Sequence, residues 1–147
     1  MSDGCREADH YHILKYRIIL LISIILIAPL GYAVRFYAPA PEWLNDRLGS
    51  FAYEIFWILL VGLFFPQASP LWTAVGVCII TCILEVLQLW QPPFLQAIRA
   101  TLLGRVILGN TFTWSDFPAY FIGSFLGWVW MRSALVYSRQ SHRPSKS

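Results

Sequence analysis

The run Leu71–Trp90, LWTAVGVCIITCILEVLQLW, is long and apolar enough to span a bilayer, yet it carries one charged residue, Glu85. A bilayer core about 30 Å thick takes about 20 helical residues. In lipid, an isolated strand leaves its backbone unsatisfied, whereas a helix does not. A charged side chain at mid-helix costs about 2.5 to 3.5 kcal/mol on insertion scales, so it persists only where it faces protein or water. Gln88 follows Glu85 at i+3 and shares its helix face. The run therefore predicts an all-α, polytopic membrane protein with its polar chemistry on a few inward positions.

Composition agrees. Hydrophobic residues make up 57% of the 147 residues, charged ones 13%, and mean hydropathy is +0.56. A soluble domain carries about 25% charged residues. Seven Trp and seven Tyr suit interface anchoring. Cys78 and Cys82, at i and i+4 inside the apolar run, read as small packing residues, since that helix offers no further metal ligand. Cys5 has no apolar run before it, which argues against a lipoprotein, and Asp9-His10-Tyr11-His12 reads as part of a solvated arm. Neither a metal nor a cofactor is expected.

Four transmembrane helices are predicted, over about 18–34, 50–65, 71–90 and 117–136. Residues 1–15 read as an N-terminal arm, 16–136 as the membrane domain and 137–147 as a basic, disordered tail. The first span lacks a small-residue cleavage site and is too long for a signal peptide, and Pro29 inside it suggests a kink. Pro66–Pro70 is a tight hairpin. Between the third and fourth spans, FLQAIRATLLGRVILG is too charged for a fifth span, with Arg99 and Arg105. It reads as an interfacial or re-entrant helix followed by a glycine-containing turn.

Four spans put the termini and the 66–70 hairpin on one side. That side carries seven Lys and Arg (Arg6, Lys15, Arg17, Arg132, Arg139, Arg143, Lys146) and the other carries four (Arg35, Arg47, Arg99, Arg105). The positive-inside rule places both termini in the cytoplasm.

On that topology the polar residues converge near the outer face. Glu54 falls one turn into span two, Glu85 and Gln88 near the outer end of span three, and Asp116 at the start of span four, with Arg99 in the loop between. An unpaired charge at that depth is costly, and an Arg can pair bidentately with a carboxylate, so Arg99 is expected to reach Glu85 or Asp116. Asp116, Tyr120, Gly123 and Gly127 lie on one stripe of span four, and Ala119, Gly123 and Gly127 repeat a small residue every four positions, which permits close helix packing. Each polar residue also has a plain structural reading. Asp116 after Ser115 and before Pro118 suits a helix N-terminus. Glu54 could snorkel, Arg99 and Arg105 could bind lipid headgroups, and Glu85 could serve only as a structural clamp.

The order Glu85-x2-Gln88, then Arg99, then Asp116-x3-Tyr120-x2-Gly123 resembles the motif series of the VanZ-like membrane proteins, Glu-x2-Gln, Arg, Asp-x3-Asn-x2-Gly. Tyr120 stands where that pattern has Asn. The stretch from Arg99 through Thr101 and Gly104 to Phe112–Asp116 (FTWSD) looks closer to a related small, multi-span bacterial family of unknown function. The resemblance covers about Lys15 to Trp130. It implies a bacterial inner-membrane protein with a buried polar site and implies no particular reaction.

Two function classes stand. In the first, favoured here, the cluster Glu54, Glu85, Gln88, Arg99, Asp116 and Tyr120 is structural or binds a lipid or lipid-linked envelope molecule. In the second, the protein is a small intramembrane enzyme acting on a lipid-linked substrate with Glu85 or Asp116 as acid or base. With His10, His12 and His142 all in the tails, such an enzyme would run on carboxylates alone. A transporter would have to oligomerise, as no internal repeat is detectable. The basic residues flank membrane spans, which argues against nucleic-acid binding, and the expected partners are membrane lipids.

Overall fold

The computed structural model describes residues 3–109 and 112–140. Among the described residues six helices follow in order: α1 (Asp3–Tyr37), α2 (Glu42–Phe64), α3 (Pro70–Leu87), α4 (Pro93–Ala100), α5 (Leu102–Leu108) and α6 (Asp116–Gln140). Among the described residues, α1 from Asp9, α2, α3 and α6 are long and apolar enough to cross a membrane. The protein is an all-α polytopic membrane protein. α2 packs against α1, α3 and α6, and α6 also packs against α1 and α3. The tail beyond residue 140 and the side chain of Cys5 lie outside the described residues.

The outward faces are apolar, with Ile25, Leu26, Ile83 and Phe121 exposed. Lipid tails are as apolar as leucine, so close packing rather than water exclusion holds such helices together. The small residues supply it. A Cβ on Gly31 of α1 would lie 2.6 Å from Ala52 Cβ of α2, and one on Gly127 of α6 would lie 2.8 Å from Ile58 Cδ1. Leu20, Ile58, Leu59 and Met131 fill the centre between α1, α2 and α6.

Two boundaries differ from the sequence expectation in ways that matter. α1 begins at Asp3, so the residues read as an arm continue the helix of the first span, and Pro29 lies inside it. α2 begins at Glu42 rather than Ser50. Asn45, Asp46 and Arg47 look like a polar loop in one dimension, but they sit on the first turns of the helix. There the Asn45 amide donates to the carbonyls of Ala38 and Ala40, and Asp46 pairs with Arg35 at 3.7 Å. Glu54 is thereby moved from near a helix end to its middle, with twelve residues of α2 before it and ten after.

The segment between α3 and α6 is two short helices. The Thr101 hydroxyl caps α5 by accepting from the Gly104 N–H at 3.0 Å. α5 ends at Gly109, whose φ of +65° only glycine adopts without strain. α4 turns Arg99 into the protein and exposes Phe94 and Ile98.

Candidate functional site

Glu85 is 1% exposed, two residues before the end of α3. Its carboxylate is held from three segments. Tyr120 of α6 donates its hydroxyl to Oε2 at 2.9 Å, Gln88 donates its amide to Oε2 at 3.1 Å, and the Thr113 backbone N–H donates to Oε1 at 2.8 Å. The i, i+3 spacing of Glu85 and Gln88 thus becomes a hydrogen bond, and Tyr120 faces the bundle as its stripe predicts. Gln88 is in turn fixed by Gly109, since a Cβ there would overlap its side-chain amide. Gly109 and Thr113 thus meet the Glu85–Gln88 pair, and Tyr53 of α2 donates its hydroxyl to the Ile107 carbonyl of α5 at 3.0 Å.

A second centre lies deeper. Glu54 is fully buried, and its Oε1 accepts from the Ser124 hydroxyl at 2.6 Å. Its Oε2 has no hydrogen-bond partner. Gly123 lets α6 approach this side chain, since a Cβ there would sit 2.8 Å from Glu54 Cβ. At the start of α6, half-buried Asp116 accepts from the Ser50 hydroxyl at 3.4 Å. Asp116, Tyr120 and Ser124 follow one another at i, i+4 and i+8 on α6, and each meets a polar group across the interface.

Arg99 does not complete a carboxylate clamp. Its Nη2 donates to the Leu87 carbonyl at 3.0 Å and its Nη1 to the Trp90 carbonyl at 3.4 Å. Among the described residues the one ion pair within 4 Å is Arg35–Asp46. The reason is geometric: the turn that ends α3 closes with the Trp90 N–H on the Leu87 carbonyl, and a cation there adds a second donor to that carbonyl, meets the Trp90 carbonyl and complements the helix dipole. The carboxylates of Glu54, Glu85 and Asp116 are met by hydroxyl, amide and backbone donors instead. Among the described residues no group of three or more His, Cys, Asp or Glu converges as a metal site.

Sequence reasoning missed Ser50, Gly109, Thr113 and Ser124. Ser124 carried a usable signal, because it lies one turn beyond Tyr120 on the stripe that starts at Asp116. Thr113 carried none, since it acts through its backbone.

Both Glu85 oxygens accept hydrogen bonds, and through them Glu85 ties α3, α6 and the Thr113 backbone together. Beside it, Gln88 Oε1 has no hydrogen-bond partner.

Residues 39–124, more than half of the chain, match the model of a family described as a protein of unknown function (DUF2809). The matched stretch contains every residue of both carboxylate centres. No solved structure matches the chain.

Proposed function

We propose that this chain, which belongs to the DUF2809 family of unknown function, is a non-enzymatic, multi-pass protein of the bacterial inner membrane that binds a lipid or lipid-linked envelope molecule at the outer end of its bundle. The observation that carries this reading is the holding of Glu85 by three uncharged donors from α3, α6 and the Thr113 backbone, which suits a fixed scaffold better than a proton-transferring catalyst. Directly over that scaffold lie α4 and α5. Phe94, Ile98, Leu102, Leu103 and Val106 are exposed there, beside the outward Arg105. Apolar side chains with a neighbouring guanidinium suit acyl chains beneath a phosphate-bearing headgroup. The hydrogen bond from Tyr53 to Ile107 and the Gly109–Gln88 contact tie this shelf to the buried carboxylate. The resemblance of the motif order to that of VanZ-like proteins, with Tyr120 in place of Asn, supports a cell-envelope ligand. The Lys and Arg distribution supports cytoplasmic termini, which puts the shelf on the outer side.

Native mass spectrometry of the protein released from membranes tests the reading. A co-purifying lipid or lipid-linked sugar is expected in the wild type and should be depleted in Arg105→Ala. A protein that carries no bound lipid, or one that binds equally well after the change, overturns it.

A further inference from the structure

The buried stripe of α6 continues from Gly127 through Met131 and Ala134 to Ser138. Beside it runs a second stripe, Trp128, Val129, Arg132, Ser133, Val136 and Tyr137, which lines a hollow of about 340 Å³. All of these are exposed except half-buried Trp128. The hollow lies at the end of the bundle that holds the 66–70 hairpin. A Cβ on Gly62, near the end of α2, would stand 2.9 Å from Met131 Cε, and the Nδ1 of His12 on α1 lies 2.8 Å from the Ser138 carbonyl oxygen. Arg132 is about 24 Å along α6 from Asp116 at 1.5 Å per residue, in a bilayer whose core is about 30 Å thick. A long side chain at that depth reaches the headgroup level.

Both aromatic walls of the hollow carry a cation. Arg132 Cζ stands 5.7 Å from the centre of the Trp128 ring, and Lys15 Nζ of α1 stands 4.7 Å from the centre of the Tyr137 ring. Such contacts hold the charge against the ring and leave its N–H donors unspent. Among the described residues the one ion pair within 4 Å is Arg35–Asp46, so neither cation has a carboxylate partner. The helices at this end offer none. α6 has no acid after Asp116, α1 none after Asp9, α2 none after Glu54 and α3 none before Glu85. One and two turns back from Arg132 toward the middle of α6, Val129 and Phe125 are exposed.

We propose that this hollow binds one anionic phospholipid of the leaflet on the hairpin side. Its phosphate accepts from the Arg132 guanidinium, which can hold two oxygens at once, with the Lys15 ammonium adding to the field. An acyl chain lies along Val129 and Phe125. A zwitterionic phospholipid brings the same phosphate with an ammonium that the two cations repel, so the site selects for net negative charge. It is separate from the α4–α5 shelf, which lies beyond the opposite end of α3, and it holds whichever leaflet faces the cytoplasm.

Spin-labelled lipids test it. The full chain is reconstituted in phosphatidylcholine vesicles, and electron paramagnetic resonance compares the motionally restricted fractions of spin-labelled phosphatidylglycerol and spin-labelled phosphatidylcholine. The wild type should prefer phosphatidylglycerol about fivefold at a single site per chain. Arg132→Gln should remove most of that preference. Arg139→Gln, which deletes the same charge outside the hollow, should keep it. Equal association of the two lipids with the wild type, or a preference that survives Arg132→Gln, overturns the proposal. An equal loss in both variants overturns it as well, since the attraction would then belong to the basic surface at large. A preference abolished by Arg105→Ala instead would place the lipid on the α4–α5 shelf and overturn it too.

Discussion

Gly123 of α6 lies so close to Glu54 of α2 that a Cβ on the glycine would stand 2.8 Å from Glu54 Cβ and 3.3 Å from the Phe51 carbonyl oxygen. The small-residue stripe and the buried acid are thus one feature, because the missing side chain is what brings Ser124 within 2.6 Å of the carboxyl. Gly123→Leu should force the helices apart at a cost of about 1–3 kcal/mol or more. Thermal unfolding in detergent, together with membrane abundance, should show a marked loss. A variant as stable as the wild type would mean that α6 does not pack here.

Glu85→Gln should be tolerated in folding. The new amide can keep its oxygen toward the Thr113 N–H and place its nitrogen toward Tyr120 and Gln88. The tyrosine hydroxyl can rotate to accept, and Gln88 can flip to present its unpartnered Oε1. Glu85→Ala has no such repair and strands three donors, at about 1–3 kcal/mol for each left buried and unmet. Normal abundance for the Gln variant and sharply reduced abundance for the Ala variant are expected on membrane-fraction blots. If a complementation assay becomes available, a null phenotype for Glu85→Gln at normal abundance would favour acid–base catalysis over binding.

Arg99→Ala should loosen the C-terminal end of α3, because the Trp90 carbonyl loses the guanidinium and the Leu87 carbonyl keeps only the Trp90 N–H. Charged hydrogen bonds contribute about 1.5 to 3 kcal/mol each. Hydrogen exchange should rise around residues 87–101 and leave the 64–70 end of the bundle unchanged. If exchange changes instead at Glu85 and Asp116 alone, the guanidinium serves the carboxylates and not the carbonyls.

Gly109→Ala meets two obstacles, a left-handed φ of +65° and the Gln88 amide. The backbone alone costs about 1–2 kcal/mol for a residue with a Cβ. Tyr120→Phe should add little to that loss if Gly109 acts by positioning Gln88 against the same carboxylate. A thermal-stability double-mutant cycle measures this, and strictly additive losses would separate the two residues.

Reporter fusions after Gln140 should be active only on the cytoplasmic side, following the seven-to-four excess of Lys and Arg on that side. Periplasmic activity would invert the topology and the placement of α4 and α5 with it.

The linear chain already determined that four apolar segments must become helices, since lipid leaves their backbones no other partner. Helical periodicity also put Glu85 and Gln88 on one face of the third span and Tyr120 on the bundle-facing stripe of the fourth, but that the three meet was decided by the packing of α3 against α6. The linear chain could not determine where α2 begins. Asn45, Asp46 and Arg47 read as loop until their partners Ala38, Ala40 and Arg35 are in place, and that start sets Glu54 at mid-helix. Nor could it assign Arg99. A guanidinium prefers a carboxylate when residue types alone are compared, but the end of α3 offers the Leu87 and Trp90 carbonyls, which only the folded turn into α4 brings within reach. Thr113 belongs to the site through a main-chain N–H common to almost every residue, so only tertiary structure decided its part.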